Sequence, residues 1–179
     1  MPDGRAFTVP LCALLAQGAD LAAGLDAETF ARASELSPGG GVGAHLRHVA
    51  DFARAFLRDH ASGRVDYDRR ERDERAEREP ARARAALLRL SGELGALGRA
   101  DASLELSVRS EACSVGPAWQ RSTLGRELAG LFSHTVHHYA LIAVLLRARG
   151  VEPPPELGVA PSTLAHWREE RAPCAPRAG

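Results

Sequence analysis

The sequence predicts an all-α protein, a four-helix bundle with a short β-hairpin-like excursion before the last long helix. Three observations carry this reading. Apolar residues return at three- and four-residue spacing over four separate stretches. Glycine- and proline-rich breaks divide those stretches. The period changes to two in one place, Leu104 to Arg109. At 179 residues and 45% hydrophobic, the chain can close one core without disulfides. Residues 1–150 read as the bundle and residues 151–179 as a proline-rich tail.

The first helix is read over Leu11–Ala33, with Leu11, Leu14, Leu15, Leu21, Ala22 and Leu25 on its apolar face and Pro10 in its first turn. Ser37-Pro38-Gly39-Gly40-Gly41 breaks the chain before a second helix, about Val42–His60, whose stripe is Val42, Leu46, Val49, Ala53, Phe56 and Leu57. Residues 64–79 form a charge run of mixed sign and read as a solvated loop or an exposed helical turn. Pro80 opens a third helix to Leu97, with Ala83, Leu87, Leu90 and Leu94 inside. Leu104, Leu106 and Val108 then alternate with polar residues as in a half-buried strand, and Val115–Gln120 is the expected return strand. Ser122 reads as the N-cap of the last long helix, with Ser122, Thr123 and Glu127 giving a near capping-box start, and the helix ends near Arg149 at Gly150. Its apolar residues cover more than half the circumference, which suits the central helix of a bundle. The tail holds Pro153-Pro154-Pro155 and a short helix near 162–170 that packs Leu164 and Trp167; the end beyond Ala172 reads as disordered.

Composition narrows the function. Twenty-three basic residues balance twenty-three acidic ones, so no net basic face invites nucleic acid. Every basic residue other than histidine is arginine, which removes lysine chemistry such as a Schiff base. Cys12, Cys113 and Cys174 are scattered and form no CxxC pair, so neither a disulfide framework nor a cysteine zinc site is expected. No uninterrupted apolar run approaches the roughly 20 residues of a membrane span, and no secretory leader is apparent. The expectation is a cytoplasmic protein without membrane or nucleic-acid partners.

Five of the seven histidines fall into two clusters: His45 and His48 on the second helix, and His134, His137 and His138 on the last. His134 and His138 are four apart, which places their imidazoles on one side of a helix, about 6 Å apart at Cβ. That side borders the buried stripe, whereas His137 points away. Facing helices of a bundle commonly supply inward ligands. A histidine from the second helix completes a three-histidine set, and spacing alone does not choose between His45 and His48. Three protein ligands leave a position open for water or substrate, the arrangement of catalytic metals. Imidazoles suit zinc, nickel, iron or copper better than magnesium or calcium. Asp51 is either an acceptor for a ligand imidazole or a solvated helix charge.

"GAHLRHVADF" on the second helix and "STLGRELAGLFSHTVHHYALI" on the last resemble the DinB-like (DinB/YfiT) superfamily, over essentially Leu11–Arg149. The "GVAPSTLAHW" of the tail is similar to one subgroup. The resemblance implies a divalent ion held by His48, His134 and His138, with zinc or nickel ahead of iron or manganese. His48 is preferred because Val49-Ala50-Asp51-Phe52 matches the stretch after the family ligand. His45, His137 and Tyr139 are carried over only as near neighbours. The resemblance also implies a homodimer and, as chemistry, transfer of a low-molecular-weight thiol to a small electrophilic substrate. Arg70 or Arg72 would hold thiol carboxylates, and Tyr67 and Asp68 are further positions in the same run. The alternatives are a metal-dependent hydrolase, a non-catalytic metal-binding or stress-associated homodimer, and a bundle with ordinary interior histidines.

Overall fold

A computed structural model describes residues 3–37, 40–110 and 119–171. The order is α1 (Arg5–Gly24), α2 (Ala27–Ala31), α3 (Val42–Asp59), β1 (Arg64–Asp66), α4 (Pro80–Ala96), β2 (Glu105–Arg109), β3 (Gln120–Thr123), α5 (Leu124–Arg147) and α6 (Pro161–Arg171), with three short 3-10 segments between. The protein is thus mainly helical, with a small three-stranded sheet. The long helices touch in a ring: α1 packs on α4 and α5, and α3 packs on the same two. Their apolar faces meet in one core that includes Leu15, Leu46, Phe56, Leu87, Leu128 and Leu146.

The first predicted helix divides in two. α1 starts at Arg5, takes Pro10 inside, and stops at the extended Leu25. Asp26 then begins again: its carboxylate accepts from Thr29 N at 2.9 Å and caps α2, the usual use of an N-cap aspartate. Midway along α1, Gly18 lets α5 approach. A Cβ there would lie 2.0 Å from the Tyr139 hydroxyl, which donates to Leu14 O at 2.8 Å. α3 and α4 follow the expected stripes, with Val42, Leu46, Val49, Ala53 and Phe56 buried on one and Ala83, Leu87, Leu90 and Leu94 on the other.

The sheet corrects the reading of the charge run. Residues 64–66 form β1, which pairs in parallel with β2 in the register Val65↔Val108 and Asp66↔Arg109. The last pair also joins side chain to side chain, the Arg109 guanidinium donating to the Asp66 carboxylate. β2 pairs antiparallel with β3, Leu106 opposite Ser122. The return strand is therefore 120–123; of the expected Val115–Gln120, residues 115–118 lie outside the described residues, as do Cys113 and Cys174. In β2 only Leu106 is buried, while Leu104 precedes the strand and is exposed. Thr123 rather than Ser122 caps α5, accepting from Arg126 N at 3.2 Å. Ser122 is still in the ladder and turns its hydroxyl to Glu127 instead.

α1 and α5 contain windows of mean hydropathy 1.4 and 1.3, long and apolar enough by length and composition to cross a membrane. A count of uninterrupted apolar runs overlooks them. Here each turns a face into the shared core, Leu11 and Leu15 from α1 and Leu128, Leu131 and Ile142 from α5. After α5 the chain folds back through the prolines. Leu157 enters the core, and α6 covers the span expected for the short tail helix, with Leu164 and Trp167 half-buried. The expectation for the end beyond Ala172 lies outside the described residues.

Candidate metal centre

The packing of α3 against α5 sets the histidines face to face. On α3, His45 and His48 are one turn apart; on α5, His134 and His138 are one turn apart on the edge of the stripe containing Leu131, Thr135 and Ile142. His48, His134 and His138 each offer a ring nitrogen, and the three lie within 4.8 Å of one another. The ring centroids are 5.0 Å apart for His48–His134, 4.7 Å for His48–His138 and 4.5 Å for His134–His138. His134 Nε2 is buried and has no hydrogen-bond partner among the described residues. A buried imidazole nitrogen normally finds a partner, so an orphan among two further imidazoles fits a cation.

The electrostatics agree with that fit. Burial, then the neighbouring His134, Arg70, Arg47 and His45, pushes His48 down to about 4. Burial, then His137 and Arg70, pushes His134 to about 4 as well. His138 is pushed to about 3, again chiefly by burial and then by the other imidazoles. All three are neutral bases at neutral pH, the form that donates a lone pair to a metal.

His45 takes a different place from the other three. It is buried, and its Nδ1 lies 2.9 Å from His138 Nδ1, while its Nε2 lies 3.0 Å from Ser37 Oγ. With Nδ1 engaged by His45, Nε2 is the nitrogen His138 has left for an ion. That requires His138 Nδ1–H to donate to His45 Nδ1, which in turn makes His45 Nε2–H the donor to Ser37. The chain from the 34–37 turn through α3 to α5 therefore permits a tautomer with a free Nε2 on His138. Ser37 had no signal in the sequence beyond its place in the break before α3.

The other candidates are dispersed. Asp51 meets no histidine: its buried carboxylate accepts from Arg47 at 2.7 Å and Arg54 at 2.8 Å, on its own helix face, so neither expected role holds. His137 is exposed; its ring lies edge-on to His138, with centroids 5.3 Å apart, and offers no nitrogen to the triad. Tyr139 turns into the α1 interface. Arg72 is exposed. Arg70 does reach the site, with its guanidinium 4.3 Å from the Phe52 ring centroid and donating to Tyr67 O. Asp68 sits 3.8 Å from Arg109. His60 Nδ1–H donates to Leu57 O at 3.0 Å, and His166 is exposed on α6.

Beside His134 a cavity of about 190 Å³ is lined by Phe52, Tyr67, Ser110, Glu127, Gly130 and Leu131. The Phe52 ring centroid lies 4.3 Å from that of His134 and 5.4 Å from that of Tyr67, so Phe52 touches both the histidines and the residue that follows β1. Glu127 was legible only as part of a helix start; its i,i+7 relation to His134 is the signal that could have placed it on the same face.

These features define a mainly helical protein with a histidine triad between two core helices, next to a small aromatic-walled cavity. The family model described as the DinB family matches residues 16–170, and the chain belongs to that family. The chain is also 30% identical, over 108 residues, to "FK506-binding protein 5" of Rhizopus delemar. That match takes in 59% of this chain but only 28% of the fungal protein.

Proposed function

We propose that this protein is a divalent-metal-binding four-helix bundle and a metal-dependent enzyme of the low-molecular-weight thiol transferase type, with His48, His134 and His138 as ligands. One observation carries the reading: three neutral imidazoles from two helices converge within 4.8 Å around the unpartnered Nε2 of His134, at the edge of a cavity. A divalent ion held by three imidazoles supplies acidity to a thiol or water bound at an open position. Zinc or nickel suits the donor set first, then iron or manganese. The residues of the chain do the rest. His45 and Ser37 hold His138 in orientation. Phe52 and Leu131 wall the approach, and Phe52 is itself covered by Arg70, whose charge lies where an anionic substrate group would be met. The same reading takes the protein as a cytoplasmic homodimer, which light scattering checks.

The test has two stages. Untagged protein purified without a metal column is analysed for metal per chain; about one equivalent of one transition metal is expected. His134→Ala should lose that metal and any thiol-transfer activity found in a screen of thiols and electrophiles, while its helical circular dichroism persists. Metal near zero, with no uptake of zinc, nickel, manganese or iron, would leave only a bundle with interior histidines. Metal retained with no turnover above the free ion would favour the non-catalytic reading.

A further inference from the structure

Glu127 is a charged group in the cavity that metal binding does not use. It precedes His134 by two helical turns on α5, and both line the same space with Phe52 and Tyr67. Its carboxylate is held at both oxygens. Ser122 Oγ donates to Oε1 at 2.6 Å, and the Tyr67 hydroxyl donates to Oε2 at 2.8 Å. Burial and the Glu127 charge push Tyr67 up, so its hydroxyl remains a donor. Ser122 comes from β3, and Tyr67 directly follows β1, so the sheet fixes the carboxylate from two directions. Capping α5 does not call for this arrangement, because Thr123 already supplies the cap. Each carboxylate oxygen keeps a second lone pair. Tyr67 stacks on Phe52 beside it, so one wall of this space is aromatic and dry, where a carboxylate's attraction for a cation is less screened than in water.

We propose that Glu127 reads an ammonium group on the ligand, so that the site takes an aminothiol, with its thiol toward the histidines and its ammonium toward the Glu127 carboxylate. This rests on the metal-and-thiol reading above. Any ligand carboxylate is left to Arg70, whose guanidinium lies over the Phe52 ring.

The full chain loaded with cobalt(II) tests it through thiolate-to-cobalt charge-transfer absorption, which reports binding without turnover. L-cysteine and 3-mercaptopropionate differ by the amino group alone. The unaltered protein should bind L-cysteine tighter by about tenfold, the scale of one charge-assisted hydrogen bond. In Glu127→Gln the ratio should fall toward one, with little loss for 3-mercaptopropionate. Ser122→Ala, which keeps the charge, should retain most of the preference. Equal affinities in the unaltered protein overturn the proposal, and that comparison is decisive even where a variant fails to fold. An undiminished ratio in folded Glu127→Gln overturns it as well. Cobalt uptake with no thiolate band from either ligand overturns the thiol reading and this inference together, and failure to take up cobalt overturns the metal reading beneath both.

Discussion

His45 is one turn from a metal-ligand candidate and buried beside it, yet its nitrogens are spoken for by His138 and Ser37. Its role is to position His138, and the expected consequence is measurable. His45→Ala should weaken zinc or nickel binding about 10- to 100-fold, the usual range for losing an outer partner of a ligand imidazole, whereas exposed His137→Ala should leave the affinity unchanged. Competition with a chelating dye reads both. The same burial governs pH. His48 and His134 titrate near 4 in the fold but near 6.5 when unfolded. Between those values the unfolded chain binds protons that the folded chain refuses, so stability of the metal-free protein rises with pH across this window. The contribution is full above about 6.5 and is lost as pH falls toward 4. Urea midpoints at pH 7 and pH 5 should therefore differ, and the gap should shrink in a variant with His48 and His134 both changed to leucine. His134 and His138 were approachable from spacing because i,i+4 geometry is local, whereas the choice of His48 over His45 came from the family resemblance. The contacts of His45 were not, since a hydrogen bond between α3 and α5 leaves no mark in either helix's period.

Elements show the same division between local and long-range signals. α3, α4 and α5 were legible because their stripes repeat over several turns and Pro80 and Gly150 punctuate them. β1 was hidden because three residues inside a charge run are too short for alternation, and its pairing with β2 joins positions more than forty residues apart. Glu127 was absorbed by a helix-start pattern, so its cavity was invisible until Tyr67 was brought to it. The tail shows how tightly one element can be docked. Gly158 has φ 73°, and a Cβ there would lie 2.1 Å from the Ala140 backbone nitrogen. Both the left-handed conformation and the close approach exclude a side chain. Gly158→Ala should destabilise the protein by about 2–4 kcal/mol, in the range of strained and overpacked sites, and denaturant unfolding measures it. Much smaller losses would mean that the tail peels from α5 instead of straining it, and faster proteolysis within 151–171 would show this.

For the molecule as a whole, the proposed ion between α3 and α5 would bind the folded chain in preference to the unfolded one, because only folding brings the three histidines together. Loading should raise the melting temperature, with about 2.7 kcal/mol added when free metal stands at a hundred times the dissociation constant. A chelator should reverse the shift, and His48→Ala should abolish it. The ring of helices gives this stabilisation a direction. The triad lies on the α3–α5 seam, while α1 meets α4 across the ring with no histidine on either helix. Local openings need not cost the same everywhere in a protein. Metal should slow amide hydrogen exchange most at 45–52 and 131–142 and leave the surface of α4 nearly unchanged, so that loading divides the core into a slow half and a fast half.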